Sequence, residues 1–209
     1  MARKMLSNFK ETVMKILVLF ALSAVTSAAM AVVALPPVST ISITGTSDQF
    51  TSISKAIVTN KANGSDSEAL QNVASNAGNV TISGKSMQTA IIKDLAFVTN
   101  EGEQGSIAQQ NLASNVGKVT VKGYSEQGVN VQEGAIVANY AGKDAIAQQS
   151  LSSNVGDVTI GGGGFSFQTT SVGPLAAVLN SAYGYDAKAV QNISSNNSCS
   201  TFTCANTVR

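Results

Sequence analysis

The side chains that could perform acid–base or metal chemistry are scarce in this chain. None of the 209 residues is histidine or tryptophan, so the side chain that most often serves as general base and metal ligand is missing. The acid pairs Asp66/Glu68 and Glu101/Glu103 have the residue types of a carboxylate-pair mechanism, but both lie in polar, turn-like stretches where charge is usually solvated. The glycine run 161–164 lacks the Lys-Ser/Thr of a phosphate-binding loop. We therefore predict no catalytic, cofactor-binding or metal site, and we expect a protein that is not an enzyme.

The two cysteines, Cys199 and Cys204, lie close together near the C-terminus. In an exported chain they could close a short disulfide loop. A metal site would need two further ligands, and no histidine is present to supply them. We therefore favour a disulfide, or a pair handled by redox enzymes, over a metal site.

The residues that recur with regular spacing are amides. A glutamine stands at positions 71, 110, 149 and 191, in steps of 39, 39 and 42 residues. Each of the first three is followed by a Ser-Asn pair, a glycine and a Val-Thr-Ile/Val segment, as in residues 110–121. Self-similarity with a period of about 20–50 residues is typical of a stacked repeat architecture. The sequence therefore predicts an all-β fold, a repeat-built β-solenoid or cross-β stack of about four units of about 39 residues.

Polar residues repeat in this chain as regularly as apolar ones. In a stack of parallel strands, equivalent residues lie above one another at about 4.7–4.8 Å. A primary amide both donates and accepts hydrogen bonds, so a column of identical Asn or Gln side chains can bond along the whole stack. We predict three columns: Gln71, Gln110, Gln149 and Gln191; Asn76, Asn115, Asn154 and Asn196; and Asn60, Asn100, Asn139 and Asn180. For the column that begins at Asn60, exposed turn residues are the alternative interpretation.

The units are expected to contain three or more strands each. Residues 40–45 alternate polar and apolar side chains as a half-buried strand does, and they align with the back half of the later units. The first and last units are therefore predicted to be incomplete. Segments 85–95, 124–134 and 163–175 differ between units and are expected to be variable linkers, the last of them lengthened and containing Pro174.

One segment allows two interpretations. Residues 65–70 fit a helical capping box, and Ala and Gln are good helix formers, so a short helix over 67–75 is possible. As a strand, the same residues place Ala69, Gln71, Val73 and Ser75 on one face. The capping box is absent from the second and third units, which favours the strand.

The N-terminal region has the pattern of a secretory signal. Four basic residues precede or begin an apolar stretch over 16–25, and Ala29-Met30-Ala31 fits an A-x-A cleavage site. Met14 is an alternative start, and a single transmembrane anchor is the alternative to cleavage. We predict a signal peptide at 1–31, an extended segment with a half repeat at 32–55, stacked repeats at 56–198 and a tail with the cysteine pair at 199–209.

The charge balance argues against nucleic acid as a partner. Removal of residues 1–31 leaves nine basic and eleven acidic residues, and no basic stripe is evident. A stack whose ends resemble its middle has open strand edges, which can template another chain. Head-to-tail addition that does not close gives a filament, so the sequence predicts polymerisation with copies of itself.

The repeats resemble those of the bacterial functional amyloids, and the Fap-type fibril subunits more than the curli type. The resemblance is carried by residues 128–134 (Gly-Val-Asn-Val-Gln-Glu-Gly), by the Ala-Gln-Gln-Asn/Ser motifs at 108–111 and 147–150, and by the Gly-x-Val-Thr-Ile/Val strands. It implies export from the periplasm through a dedicated outer-membrane pore. It also implies assembly into cell-surface biofilm fibrils, either as major subunit or as minor nucleator.

We therefore expect a secreted, self-assembling structural subunit of extracellular fibrils. The alternative is a monomeric secreted β-solenoid adhesin or surface-binding module. Such a module would need a repeated aromatic or charged binding face, and the four tyrosines of the chain, Tyr124, Tyr140, Tyr183 and Tyr185, do not recur at equivalent positions.

Overall fold

The computed structural model describes residues 39–194 and 196–197. Every regular element in this part of the chain is a β-strand. The strands form parallel sheets stacked as a β-solenoid of about four turns, which confirms the predicted fold class. The predicted signal peptide and the cysteine pair Cys199 and Cys204 lie outside the described residues.

Each turn of the solenoid contains five strands. The first turn contains β1 Thr40–Ile43, β2 Thr46–Ser54, β3 Ile57–Asn63, β4 Glu68–Val73 and β5 Asn76–Ala77. The second contains β6 Asn79–Ile82, β7 Lys85–Lys93, β8 Phe97–Glu103, β9 Ile107–Leu112 and β10 Asn115–Val116. The third contains β11 Val119–Val121, β12 Tyr124–Val131, β13 Ile136–Ala141, β14 Ala147–Leu151 and β15 Asn154–Val155. The fourth contains β16 Thr159–Ile160, β17 Phe165–Val172, β18 Ala177–Ala182, β19 Ala189–Ile193 and β20 Asn196–Asn197.

Equivalent strands of the four turns pair in parallel and in register. Five four-stranded sheets result, which we label A to E in chain order. Sheet A contains β1, β6, β11 and β16; sheet B contains β2, β7, β12 and β17; sheet C contains β3, β8, β13 and β18; sheet D contains β4, β9, β14 and β19; and sheet E contains β5, β10, β15 and β20. Counted from Thr40, the described chain therefore makes four complete turns, so the incomplete first and last units depend only on where a repeat is taken to begin.

The segment for which a helix was possible is strand β4. Its Ala69 and Gln71 are buried while Leu70 and Asn72 are exposed, which is the alternation predicted for the strand interpretation. Register decides the outcome, because β4 pairs residue by residue with β9 and shares its inward face. A helix at this point would leave β9 without a neighbour on that side.

The segments expected to be variable linkers are instead the longest strands of the fold. They form sheet B, in which Gln49, Gln88, Gln127 and Gln168 lie in register. The longer last step between the repeated glutamines, 42 residues and not 39, has two origins. Two extra residues lie in the corner at Gly161–Gly164, at the start of the segment expected to be lengthened, and one more lies before Ala189. Pairing accordingly shifts from Val121↔Ile160 to Tyr124↔Phe165 and then from Ala141↔Ala182 to Ala147↔Ala189. The corner with Pro174 has the same length as its counterpart in the third turn.

Corners of the solenoid depend on backbone conformations that repeat from turn to turn. Between sheets D and E, the corner residue is Ala74, Ala113, Ser152 or Ser194, with φ between 47° and 52° in every turn. Between sheets E and A, the corner residue is a glycine, and a Cβ on Gly117 would lie 2.2 Å from the carbonyl oxygen of Gly78 one turn below. The glycine is required there because the turns approach each other too closely for a side chain.

The core consists of apolar columns running along the solenoid. The larger cluster contains Ile53, Ile92 and Val131 from sheet B, Val98 and Val137 from sheet C, and Leu112 and Leu151 from sheet D. A smaller cluster under sheet A contains Ile43, Val80, Ile82, Val119 and Val121. These columns are thin, and buried polar side chains occupy the inward positions between them.

Candidate functional site

The column of Asn76, Asn115, Asn154 and Asn196 in sheet E forms a continuous amide ladder. The side-chain nitrogens of Asn76, Asn115 and Asn154 each donate to the Oδ1 of the next turn, at 2.8, 3.0 and 3.1 Å. Asn115 is fully buried, and its Oδ1 also accepts a hydrogen bond of 2.7 Å from Gln88 Nε2. Each amide therefore fixes both the next turn and the neighbouring sheet.

The column of Asn60, Asn100, Asn139 and Asn180 in sheet C is a second complete ladder. Successive Nδ2-to-Oδ1 distances are 2.7, 2.9 and 2.8 Å. The same nitrogens donate to backbone carbonyls of sheet D, for example from Asn100 to Ala69 at 3.0 Å. Because Asn100 and Asn139 are fully buried, exposed turn residues are excluded for the middle turns.

The column of Gln71, Gln110, Gln149 and Gln191 is bonded over its first three members. Gln110 Nε2 donates to Gln71 Oε1 at 2.6 Å, and Gln149 Nε2 donates to Gln110 Oε1 at 2.8 Å. Gln191 lies in register with Gln149 but is exposed, and Gln149 Oε1 is buried without a hydrogen bond. The last turn is therefore the least satisfied part of this column.

A fourth ladder was missed by the sequence reasoning, because its residues lie in the segments expected to be linkers. Gln127 Nε2 donates to Gln88 Oε1 at 3.1 Å, and Gln168 Nε2 donates to Gln127 Oε1 at 3.2 Å. Gln49 completes the column, and its Nε2 donates to Asn76 Oδ1 at 2.9 Å. The signal was present in the sequence, since these glutamines are spaced by 39, 39 and 41 residues.

The two ends of the solenoid carry unpaired strand edges. In every sheet, one strand of the first turn and one of the last turn lie at the outer positions. None of the described residues pairs with the outer side of these strands. Strands β16–β20 contain neither a charged residue nor a proline, the two kinds of residue that commonly protect sheet edges.

The core is open at the last turn. Ile160, Val172 and Ile193 are 41%, 47% and 44% exposed, although the residues in the same columns of the middle turns are fully buried. The first turn is better covered at Ile43 and Ile53, which are only 8% and 9% exposed, but its inward Val58 is 37% exposed. Inward-facing apolar residues thus reach solvent at both ends of the described solenoid, at Val58 in the first turn and at three positions in the last.

The paired acids lie where the sequence suggested, at the surface. Glu101 accepts a hydrogen bond of 2.9 Å from Lys61 Nζ, which raises the pKa of that lysine, and Glu103 lies 4.0 Å from the same nitrogen. Asp66 and Glu68 are exposed. Among the described residues, no cluster of three or more His, Cys, Asp or Glu side chains is arranged to hold a metal ion.

An additional acid pair lies at the corner between sheets B and C. Asp94 and Glu133 occupy consecutive turns beside an open groove of about 570 Å³ that also contacts Ile57, Leu95 and Phe97. Protonated Glu133 donates a hydrogen bond to Asp94, and this bond raises the pKa of Glu133. The pKa of Asp94 is lowered, mainly by the hydrogen bond of 2.5 Å that Ser54 Oγ donates to Oδ2.

In the described part of the chain, no helix is long and apolar enough to cross a membrane. Comparison with protein-family models, with curated proteins and with solved structures finds no match for this chain.

Proposed function

We propose that this protein is a secreted structural subunit that assembles with copies of itself into extracellular, amyloid-like fibrils of a biofilm. Growth occurs by stacking of solenoid turns, edge to edge, along the axis of the ladders. The protein acts as a building material and performs no catalysis.

The observation that carries this proposal is the open core of the last turn. Columns of apolar side chains that are fully buried in the middle turns become more than two-fifths exposed at Ile160, Val172 and Ile193. Burial of apolar area stabilises association by roughly 25 cal/mol per Å² before the costs of ordering are subtracted. Another set of turns stacked on this end would cover the three residues in the way that each middle turn is covered by the next.

The chemistry of the edges supports the same function. Exposed sheet edges in proteins that remain monomeric are commonly protected by lysine, proline or bulges. Strands β16–β20 have no charge and no proline, and they present Asn180, Gln191 and Asn196, the last members of three amide columns. Because an amide column has a donor and an acceptor at every level, it can be extended without a change in chemistry.

Secretion and partners are proposed from the sequence. The signal-like residues 1–31 direct the chain to the periplasm, and an outer-membrane secretion pore and a nucleator or minor subunit are the partners proposed besides the chain itself. Cleavage after Ala31 is tested by N-terminal sequencing of the protein recovered outside cells. Recovery of the intact chain in the membrane fraction would contradict this part of the proposal.

Assembly is tested by dilution of the denatured 209-residue chain, and in parallel of residues 32–209, into buffer. We expect a lag phase, thioflavin-positive fibrils in electron micrographs and a meridional reflection near 4.7–4.8 Å in fibre diffraction. Preformed fibrils should shorten the lag.

A soluble monomer with a cooperative β-type melting transition and no fibrils would contradict self-assembly. That outcome would favour the second candidate, a monomeric β-solenoid adhesin or surface-binding module. The groove at Ile57, Leu95 and Phe97 would then be the first surface to test, because it is apolar and lies on the side of the solenoid.

A further inference from the structure

The two ends of the solenoid are complementary to each other residue by residue. In sheet B, the register carried through the four turns relates Ser47 to Ser166 and Gln49 to Gln168. In sheet C it relates Val58 to Val178 and Asn60 to Asn180. In sheets D and E it relates Ala69 to Ala189, Gln71 to Gln191 and Asn76 to Asn196. Each of these inward positions therefore has the same residue in the first and the last turn.

This identity means that a joint between two copies can reproduce the interior of one copy. If the first turn of a second copy were placed on the last turn of the first, all four amide columns would continue in register through the joint. Ile160, Val172 and Ile193 would then lie beside Ile43, Ile53 and Val73 of the next copy, which continue their columns.

Charge is also compatible with this arrangement. Glu68 begins β4, and the equivalent position before β19 is Lys188, so the two would be neighbours across the joint. Opposite charges facing each other on neighbouring strands stabilise pairing, whereas like charges oppose it. The other strand residues with charge in the first turn, Asp48 and Lys61, would face the uncharged Phe167 and Ser181.

Joints between two identical ends do not have this fit. Two equal edges face each other only through a two-fold rotation perpendicular to the solenoid axis, which reverses the order of the sheets around the turn. The first turn has strands of 4, 9, 7, 6 and 2 residues in sheets A to E, and this sequence of lengths cannot be superposed on its own reverse. At most one sheet could then face its own counterpart, in antiparallel orientation, and the amide columns of the other sheets would not meet their equivalents.

We infer that copies of this chain join in one orientation only, with β16–β20 of one copy paired in parallel and in register with β1–β5 of the next. The partner of the open last turn is the first turn of a second copy, and the fibre is polar. This inference rests on the proposed function and specifies its interface.

The inference is tested with single-cysteine variants of the full 209-residue chain in which Cys199→Ser and Cys204→Ser are also present. Ser52→Cys and Ser171→Cys occupy exposed, outward positions of β2 and β17 that share one column. Within a copy they are three strand spacings apart, about 14 Å, which is too far for a disulfide. Across the inferred joint they are one spacing apart, within the range of about 4.4–6.8 Å between Cα atoms of disulfides.

An equal mixture of the two variants is assembled, oxidised and dissolved in denaturant without reductant. We expect the mixed dimer, joined between positions 52 and 171, to exceed either homodimer at least tenfold by mass spectrometry. The matched control replaces Ser171→Cys by Thr170→Cys, one residue away on the inward face, and should give little of the mixed dimer.

The two proposals fail in different ways. Fibrils that give mainly dimers joined between two positions 52, or between two positions 171, would overturn the single orientation. Fibrils that give no cross-link, or as much mixed dimer with the cysteine at position 170 as with the cysteine at 171, would overturn the register. Both results would leave self-assembly intact. Absence of any assembly by every variant and by the unsubstituted chain would overturn the proposed function together with this interface.

Discussion

Asn115 donates a hydrogen bond of 3.0 Å from Nδ2 to Asn154 Oδ1, although the two residues are 39 positions apart in the chain. Asn115 Oδ1 meanwhile accepts hydrogen bonds from Asn76 one turn below and from Gln88 in sheet B. A single buried amide thus joins three turns and two sheets.

We expect Asn115→Ala to destabilise the folded subunit strongly. The substitution leaves the side-chain donors of Asn76 and Gln88 without their acceptor, and each unsatisfied buried group costs about 1–3 kcal/mol. A loss of about 3 kcal/mol in the free energy of unfolding is the expected result, measured by denaturant titration of the soluble form. The matched control is Thr59→Ala, which removes one exposed side-chain hydrogen bond, from Thr99 Oγ1 to Thr59 Oγ1, and should cost less than about 1 kcal/mol. Equal losses would contradict a special role of the buried ladder.

Gly117→Ala should prevent the corner at Gly117 from stacking correctly on the corner at Gly78. Its φ of 110° is rarely adopted by residues with a side chain, and the added Cβ would lie 2.2 Å from Gly78 O. Strain and overlap together should cost at least about 3 kcal/mol of folding stability. Circular dichroism and thermal melting report the effect. Gly161→Ala is the control, because a Cβ there meets no atom within 4 Å, and a similar loss in both variants would refute the steric explanation.

Gln191→Lys should block elongation without unfolding the subunit. Gln191 is exposed in the described solenoid, so a lysine is tolerated there, but in the inferred joint it would be buried between Gln149 and Gln71 of the next copy. Because an unpaired buried charge is costly, we expect seeded growth to slow at least tenfold. Growth is followed by thioflavin fluorescence. Ser171→Lys adds the same charge on the outward face of the last turn and should slow growth much less.

Stability should depend on pH through the pair Asp94 and Glu133. The pKa of Glu133 is raised by its hydrogen bond to Asp94. The contribution of Glu133 to folding stability is therefore complete below its pKa in the unfolded chain, and it is lost as pH rises through its pKa in the folded protein. The pKa of Asp94 is lowered mainly by its hydrogen bond with Ser54 and, to a smaller extent, by that with Glu133. The contribution of Asp94 to folding stability is therefore lost as pH falls through this lowered pKa. We expect the denaturation midpoint to be highest between these two pKa values and to decline toward neutral pH.

The variant Glu133→Gln isolates this effect, because it keeps a hydrogen-bond donor and cannot ionise. The decline toward neutral pH should shrink in Glu133→Gln and persist in Asp66→Asn, which removes an exposed acid outside the pair. An unchanged profile in Glu133→Gln would show that other groups cause the pH dependence.

Much of the vertical organisation could be predicted from the sequence. A period of 39 residues identifies which residues lie above one another, because parallel pairing in a solenoid keeps equivalent residues in register. The columns beginning at Gln71 and Asn76 were predicted from that period and from the ability of an amide to both donate and accept. The column beginning at Asn60 was predicted in the same way, with exposed turn residues as the alternative. The column beginning at Gln49 carried the same signal, but the varied residues around it concealed a strand.

The lateral organisation was decided only by the tertiary structure. Gln88 bonds to Asn115, and Asn139 bonds to the carbonyl of Ala108, across corners whose positions the repeat does not specify. Ala74, Ala113, Ser152 and Ser194 adopt left-handed backbone, yet alanine and serine give no local sign of it as glycine or asparagine would. The sequence alone therefore determined the period, the parallel register and the chemistry of the columns. Only the packing of neighbouring turns determined that each turn has five strands, which ladders contact each other, and where the core is exposed at the ends. These features depend on the direction that the chain takes at every corner.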